Sequence, residues 1–496
     1  MSFVVAIDQS TSATKALLFG VAGGLVDKEA REHRQHYPQP GWVEHDAEEI
    51  WQNTLVVLRG LIGRHPEAAA AIMGLSVTNQ RETIVVFERG TGRPLHRAIV
   101  WQCRRTETLC RECVAAGEEA WVRAKTGLKI DPYFSGSKLR WLVENVVGLR
   151  EKLAAGDALV GTLDTYLIYR LTGGAEFATD STNASRTLLF DIGRLAWDAR
   201  LCELWRIPMR ALPRVRESFD RFGETDLDGL LPQAVPICGV MGDSQAALFA
   251  HGCFSPGDAK VTFGTGSSIL LNIGSELRWS ERGVITALAW VRDGRPVYAF
   301  EGIIVSAAST LNWLRDQLGL IESLDAVEAL ATSVPDNGGV YLVPAFTGLG
   351  FPHWAPSARA TLTGLSPHSD RRHVVRAALE SIAFQLRDAF DALREDAPEP
   401  LRLLQCDGGP TANRFLMQFT ADLTGADLQV AAAPDCSALG AIFAGLLGLG
   451  MVASPAELLA LRPASVTYHP VAPDELIVRL VAAWRHAVRQ TTLAVG

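Results

Sequence analysis

Three short turns rich in Gly, Ser and Thr are suited to holding phosphate groups: Asp8–Ala13 (D-Q-S-T-S-A), Gly264–Ser268 (G-T-G-S-S) and Asp407–Ala412 (D-G-G-P-T-A). Successive backbone N–H groups in such turns form a concave anion site. The third turn joins a strand-like run, Leu403–Cys406, to a helix-like one, so it also lies at a helix N-terminus, where anions are favoured. No G-x-x-x-x-G-K-[ST] occurs, which excludes a P-loop, and no G-x-G-x-x-G follows a strand. The main sequence reason to propose a dinucleotide site is therefore missing. Taken together, the three turns favour a nucleotide clasped between two domains.

Two carboxylates stand inside apolar strings. Asp8 ends a Val-Val-Ala-Ile strand, and Asp243 lies in V-M-G-D-S-Q-A-A-L-F. A carboxylate in such a place is costly to bury unless it is paired or holds a cation. Asp243 reads either as an N-cap for a helix over Ala246–Ala250 or as a general base that takes a proton from a substrate hydroxyl. Asp8 reads either as a turn carboxylate or as a ligand on the Mg²⁺ side of a phosphate site. Arg81 and Glu82 follow the strand G-L-S-V-T-N-Q. On a surface they would form a solvated pair worth little; at a cleft they can donate to and accept from one vicinal diol.

These groups need a scaffold of alternating elements. Phe3–Ile7, Thr14–Phe19, Gly74–Thr78 and Thr83–Glu88 have the Val, Ile and Phe content of strands. Ala47–Arg64, Val374–Leu393 and Asn413–Leu423 carry apolar residues at helical spacing. Such alternation predicts an α/β protein. Val4–Phe19 and Lys260–Ile273 both read strand, small-residue tip, strand, about half a chain apart. This echo predicts two related domains, 1–248 and 249–496, with the junction near Ala246–Gly257.

The 496 residues carry 47 basic and 55 acidic side chains, a balance of −8, with 48% hydrophobic content. That composition excludes bulk disorder and a protein that coats nucleic acid, which needs clustered positive charge. Ala438–Ser454 is the longest uncharged stretch, but it is Gly-rich and short of the ~20 residues a membrane span requires; a buried helix is expected. Cys103, Cys110 and Cys113 lack a paired second half, which argues against a zinc site there. The eight scattered Cys and a start without a basic or cleavable segment predict a soluble cytoplasmic protein with reduced thiols.

Longer strings carry a resemblance. AIDQSTSATKALLF, YPQPGWVEHDAEEIW, TNQRETIVVFERGTGRPLHRAIVWQCRRT, GLKIDPYFSGSKLRW, GDSQAALFAHG, TFGTGSSILLNIG, VPAFTGLGFPHWAP and LQCDGGPTANRFLMQFTADL resemble the FGGY carbohydrate kinases, in order and along nearly the whole chain. The resemblance implies two ribonuclease-H-like α/β domains of the actin-like ATPase type, closing on ATP and Mg²⁺. It implies phosphorylation of a terminal hydroxyl of a small polyol or sugar, glycerol being the first candidate. A longer polyol or ketose, or a non-catalytic nucleotide-dependent sensor, are the alternatives.

By motif position, Asp243 is then the catalytic base and Asp8 the residue on the metal side. Thr11, Ser12, Ala13 and Lys15 match the first phosphate loop, and Gly264, Thr265 and Gly266 the second. Ala308, Asn312, Gly408, Gly409 and Asn413 match the adenosine side. Arg81, Glu82, Trp101 and Tyr133 match the polyol contacts. Ser244 and Ser268 stand where the polyol-phosphorylating members usually have Gln and Phe, which implies a wider, more polar pocket. Val215–Gly239 lacks both the G-G-T-R turn tied to fructose 1,6-bisphosphate and a phosphorylated His loop, so neither control is expected. A homodimer or homotetramer is expected from the same resemblance.

Overall fold

The apolar run near the N-terminus forms β1 (Phe3–Gln9), buried over most of its length, which folds back into β2 (Ala13–Gly20) with Asp8 opposite Lys15. The computed structural model that shows this describes residues 2–493 apart from 23, 281, 356, 398, 402, 433, 434 and 463. β3 (Gly24–Glu32), β4 (Ile72–Asn79), β5 (Arg221–Thr225) and β6 (Val235–Gly242) complete a six-stranded sheet in the order β5-β6-β4-β1-β2-β3. The hairpin strands β1, β2 and β3 are antiparallel, whereas β1, β4 and β6 run parallel. Between β3 and β4, helix α1 (Ala47–Arg64) spans the predicted residues. The Asp46 carboxylate caps it, accepting from the N–H groups of Glu48 and Glu49 at 2.9 and 3.3 Å.

The second half repeats this plan. β7 (Ala259–Phe263), β8 (Ser267–Gly274), β9 (Ile285–Arg292), β10 (Arg295–Ile304), β11 (Leu403–Asp407), β12 (Asp427–Ala431) and β13 (Ser465–Tyr468) form a sheet in the order β9-β10-β8-β7-β11-β12-β13. Here β7, β8 and β10 are antiparallel in turn, and β7, β11 and β12 are parallel. Strand for strand, β7-β8-β10-β11-β12 therefore repeats β1-β2-β3-β4-β6. The echo of two hairpins is a repeated ribonuclease-H-like domain, and the fold is the actin-like α/β architecture.

Two helices cross between the sheets. α2 (Asp243–Ala250) leaves the first sheet from β6 and packs on β7, β8 and β9 of the second. Helix α5 belongs to the second half, after α3 (Arg371–Asp396) and α4 (Arg414–Thr424). It spans Cys436–Gly448 and covers β1, β4 and β6 of the first sheet. A shared apolar cluster joins them, with Ala6, Leu17, Leu248, Phe249, Leu270, Ala299, Ile442 and Phe443 all buried. The uncharged stretch from Ala438 is thus a buried helix. Among the described residues no helix is long and apolar enough to cross a membrane.

The α2–α5 crossing depends on Gly440. A Cβ there would sit 1.7 Å from the carbonyl oxygen of Ala246, a contact that only movement of one helix backbone relieves. Gly440→Ala is expected to cost about 3 kcal/mol of stability, the upper end of overpacking penalties. A denaturation midpoint unchanged from that of the parent would show that the crossing tolerates the methyl group.

Candidate active site

Strand β6 ends at Gly242, and Asp243 is the first residue of α2, so the helix begins three residues before the Ala246 start read from the sequence. The N-cap position is Gly242, not Asp243. The Asp243 side chain is 36% exposed, far more than its charged neighbours. Its Oδ1 lies 3.2 Å from Arg81 Nε and accepts the Ser244 N–H at 2.7 Å. Oδ2 takes no hydrogen bond or ion pair among the described residues.

Arg81 and Glu82 follow β4 in the first domain and are buried. Glu82 has φ +62°, a left-handed conformation unusual for a non-glycine residue. Its carbonyl accepts from Ser135 Oγ at 2.9 Å. Both residues belong to a charge network that crosses between the domains. Arg81 Nη2 donates to Glu301 Oε1 at 2.7 Å and Arg81 Nη1 to Gln245 Oε1 at 3.2 Å. Arg186 Nε donates to Glu82 Oε1 at 2.6 Å, and its Nη1 lies 2.6 Å from Glu301 Oε2. Glu301, in the middle of β10, is fully buried. Burial alone would raise its carboxyl, but Arg186 and Arg81 more than offset this and hold it below the usual range.

Ser268, at the start of β8, donates to the same Glu301 Oε1 at 3.5 Å, and Ser244 Oγ donates to Ser268 Oγ at 3.5 Å. Trp101 and Tyr133 meet edge to face with ring centroids 5.5 Å apart. Trp101 Nε1 also donates to Thr11 Oγ1 at 3.0 Å, which ties this aromatic pair to the first hydroxyl-rich turn. The structure thus gathers Arg81, Asp243, Ser244 and Ser268 in one network, with Trp101 and Tyr133 as an adjoining wall.

The first turn is closed by Ser10, whose N–H and Oγ both donate to the Ala13 carbonyl at 2.9 Å. Thr11 and Ala13 are partly exposed and Ser12 is exposed. Lys15 turns back to Asp8 at 3.3 Å and reaches Asp435 of the second half at 3.0 Å, while Lys28 also holds Asp435 at 2.9 Å. Burial pushes the Asp8 carboxyl above its usual range against the pull of Lys15, and the charges of Asp243 and Asp435 push the same way. Asp8 and Asp243 therefore feel one another's field across the strand ends.

The second turn, Gly264–Gly266, is docked on the segment before the helix Ser309–Asp316. Ala308 N donates to Gly264 O at 3.1 Å, and the N–H groups of Ala307 and Ser309 donate to Thr265 O at 2.9 and 3.1 Å. These bonds use the carbonyls of the turn. The amides of Thr265 and Gly266 donate to no other group among the described residues. Asn312 lies in the same helix, partly buried. The third turn leaves β11 at Gly408, whose φ is +100° and whose Cβ would meet the Phe263 carbonyl at 1.9 Å, so it rests against the strand that feeds the second turn. Gly409 faces open space. Asn413 Oδ1 accepts the Leu416 N–H at 2.8 Å and caps α4, so this residue has a structural task as well.

Arg186, Gln245 and Glu301 were not among the residues singled out from the sequence. Glu301 did carry a readable signal, a lone carboxylate inside the strand V-Y-A-F-E-G-I-I, the same signal that marked Asp8 and Asp243. Arg186, in N-A-S-R-T, had none of comparable strength.

Residues 3–250 match the N-terminal domain of the FGGY family of carbohydrate kinases, and residues 259–449 match its C-terminal domain. Glycerol kinase 1 of Thermotoga maritima is 46% identical over 489 residues, covering 98% of this chain and 99% of the relative. Glycerol kinase of Desulfitobacterium hafniense is 45% identical over 488 residues, covering 98% and 99%. A crystal structure of Plasmodium falciparum glycerol kinase with ADP superposes with a TM-score of 0.92 at 35% identity, covering 99% of this chain and 98% of that one.

Proposed function

The chain belongs to the FGGY family of carbohydrate kinases, and we propose that it transfers the γ-phosphoryl group of ATP to a terminal hydroxyl of glycerol. The observation that carries this reading is the network in which Arg81 meets Asp243 and Glu301 at the junction of the two domains. Its support on the substrate side is full-length similarity to glycerol kinases.

In this reading, Arg81 and Glu82 bind the polyol hydroxyls through donors and acceptors, and Trp101 and Tyr133 cover its C–H faces. Asp243 uses Oδ1 to stay registered on Arg81 and the Ser244 amide. Its Oδ2 accepts the proton of the attacking hydroxyl as the new O–P bond forms and ADP leaves. Thr11, Ser12, Ala13, Gly264, Thr265 and Gly266 lie against the phosphates. The unengaged amides of Thr265 and Gly266 suit an anion. Lys15 adds positive charge behind the first turn. Ala308, Asn312, Gly408, Gly409 and Asn413 border the adenosine.

Asp8 and Asp243 present oxygen donors alone, and burial raises the Asp8 carboxyl despite Lys15, a set that suits Mg²⁺. When bound, Mg²⁺ would offset the charge of the nucleotide phosphates. The expected cytoplasmic location belongs to the same reading and rests on the scattered thiols, and the dimeric or tetrameric state rests on the family resemblance.

A second reading, a four- or five-carbon polyol or ketose, is favoured by the facing hydroxyls of Ser244 and Ser268, 3.5 Å apart beside Glu301. Both are small and polar, so they offer hydrogen bonds where a larger side chain would offer bulk. The experiment is ADP release from ATP–Mg²⁺ with glycerol, erythritol, the threitols, ribitol, xylitol and xylulose. Glycerol is expected to give the highest kcat/KM. A clear win for a longer acceptor would replace glycerol and make the two serines the specificity determinants. Absence of acceptor-dependent ADP release from the whole panel would reject both readings.

A further inference from the structure

His251, Asp407 and Cys436 converge away from the polyol network, at the point where the two halves of the chain are joined. His251 closes α2, Asp407 ends β11 and Cys436 begins α5. Each is about 3% exposed. Their ligand atoms lie within 4.8 Å of one another. His251 Nε2 is 2.9 Å from Asp407 Oδ2. The other carboxylate oxygen, Oδ1, is buried and lacks a hydrogen bond of normal geometry, although the Thr262 hydroxyl, the Lys260 ammonium and the Cys436 thiol all act on this carboxylate. A buried carboxylate oxygen without a conventional donor is costly, and a cation between the three side chains would remove that cost.

We propose that these three residues form a site for a zinc-class divalent cation, distinct from the Mg²⁺ expected beside Asp8. The donor set is one imidazole nitrogen, one carboxylate oxygen and one sulfur, which suits a borderline-soft ion and not Mg²⁺ or Ca²⁺. Around a tetrahedral Zn²⁺ the ligand atoms stand about 3.3–3.8 Å apart, so small side-chain adjustments close the site, and a water fills the fourth position. On binding, the Cys436 S–H proton leaves to solvent and the imidazole keeps one proton on Nδ1. The ion with carboxylate and thiolate is then neutral overall, against one negative charge before binding, so the nearby buried Lys260, bonded to Thr262 Oγ1 at 2.8 Å, loses the favourable field of the Asp407 carboxylate, a cost that the three metal–ligand bonds must exceed. Such an ion would clasp the helix that carries Asp243 to the strand that enters the Gly408–Gly409 turn and to the helix that follows Asp435.

The test is a Co²⁺ titration of chelator-treated full-length protein in excess Mg²⁺, followed by optical absorption and thermal melting. One equivalent of Co²⁺ is expected to give thiolate charge-transfer absorption in the near ultraviolet, displaced by Zn²⁺, with a higher Tm. Cys436→Ser should lose that band and weaken Co²⁺ binding by more than the ~10–100-fold that loss of a supporting residue costs a metal site. If Cys436→Ser does not fold, His251→Gln takes its place, read as the same drop in affinity. No band at stoichiometric Co²⁺ would overturn the proposal. A band that persists unchanged in Cys436→Ser would also overturn it, by placing the metal on one of the other seven thiols, all of them buried.

Discussion

Asp243→Asn is expected to lower kcat for phosphoryl transfer by about 100- to 10,000-fold, the range that positioned general acid–base groups contribute, while ATP binding is retained. The amide keeps the size of the side chain and leaves an oxygen for the Ser244 N–H, which now donates to Asp243 Oδ1 at 2.7 Å. It cannot take the hydroxyl proton, and it removes the anion 3.2 Å from Arg81 Nε. The side chain sits at the first turn of α2, where a negative charge is favoured and where 36% exposure leaves it open to the cleft. Nucleotide affinity, read from ATP-dependent thermal shift, should be little changed, because the three Gly/Ser/Thr turns proposed to hold the phosphates do not use this side chain and Asp8 remains on the proposed Mg²⁺ side. Unaltered turnover would remove Asp243 from the role of base. It would also favour a nucleotide-dependent sensor on the same fold, which needs no base.

Glu301→Gln should be the second largest effect, a fall in polyol kcat/KM of about 10–100-fold together with a loss of stability of about 3–5 kcal/mol, the range for breaking a buried ion pair. Glu301 accepts from Arg81 Nη2 at 2.7 Å through one oxygen and lies 2.6 Å from Arg186 Nη1 through the other. Glutamine can keep one of these contacts. Its NH₂ must then face a guanidinium N–H, a donor against a donor at a fully buried position. Arg81 would lose its orientation towards the acceptor hydroxyls, and Arg186 would lose the anion it shares with Glu82. The discriminating readout is a rise in polyol KM with little change in KM for ATP. Equal losses for both substrates, with the stability loss, would mean that Glu301 serves only to hold the domains together. Unchanged stability and kcat/KM would mean that the network is not energetically coupled.

The residues singled out from the sequence and those added by the structure differ in kind. Asp8, Asp243 and the Arg81–Glu82 pair stood out because each interrupts or ends an apolar run, and burial of a charge in such a run is expensive enough to demand a reason. The turns at Thr11, Thr265 and Gly409 stood out because Gly, Ser and Thr between strands mark tight backbone. Their repetition half a chain apart announced a duplicated domain, which the five-strand core shared by the two sheets bears out. Helix α1 was legible to the residue, since apolar spacing and the Asp46 cap are both local. The sequence pattern starts α2 three residues late, because the step from β6 to α2 at Gly242 has no side-chain cap to mark it.

Local pattern, then, determined the α/β class, the duplication, the Gly/Ser/Thr turns and the charged residues that required partners. The identity of those partners came only with the tertiary structure. Arg81 meets Glu301 across 220 positions, Arg186 meets Glu82 across 104, and His251 meets Asp407 across 156. The physical reason is that the desolvation cost of a buried charge is carried by its immediate sequence context. The compensating Coulomb and hydrogen-bond energy depends on distances of 2.6–3.2 Å, which only the packing of segments far apart in the chain sets.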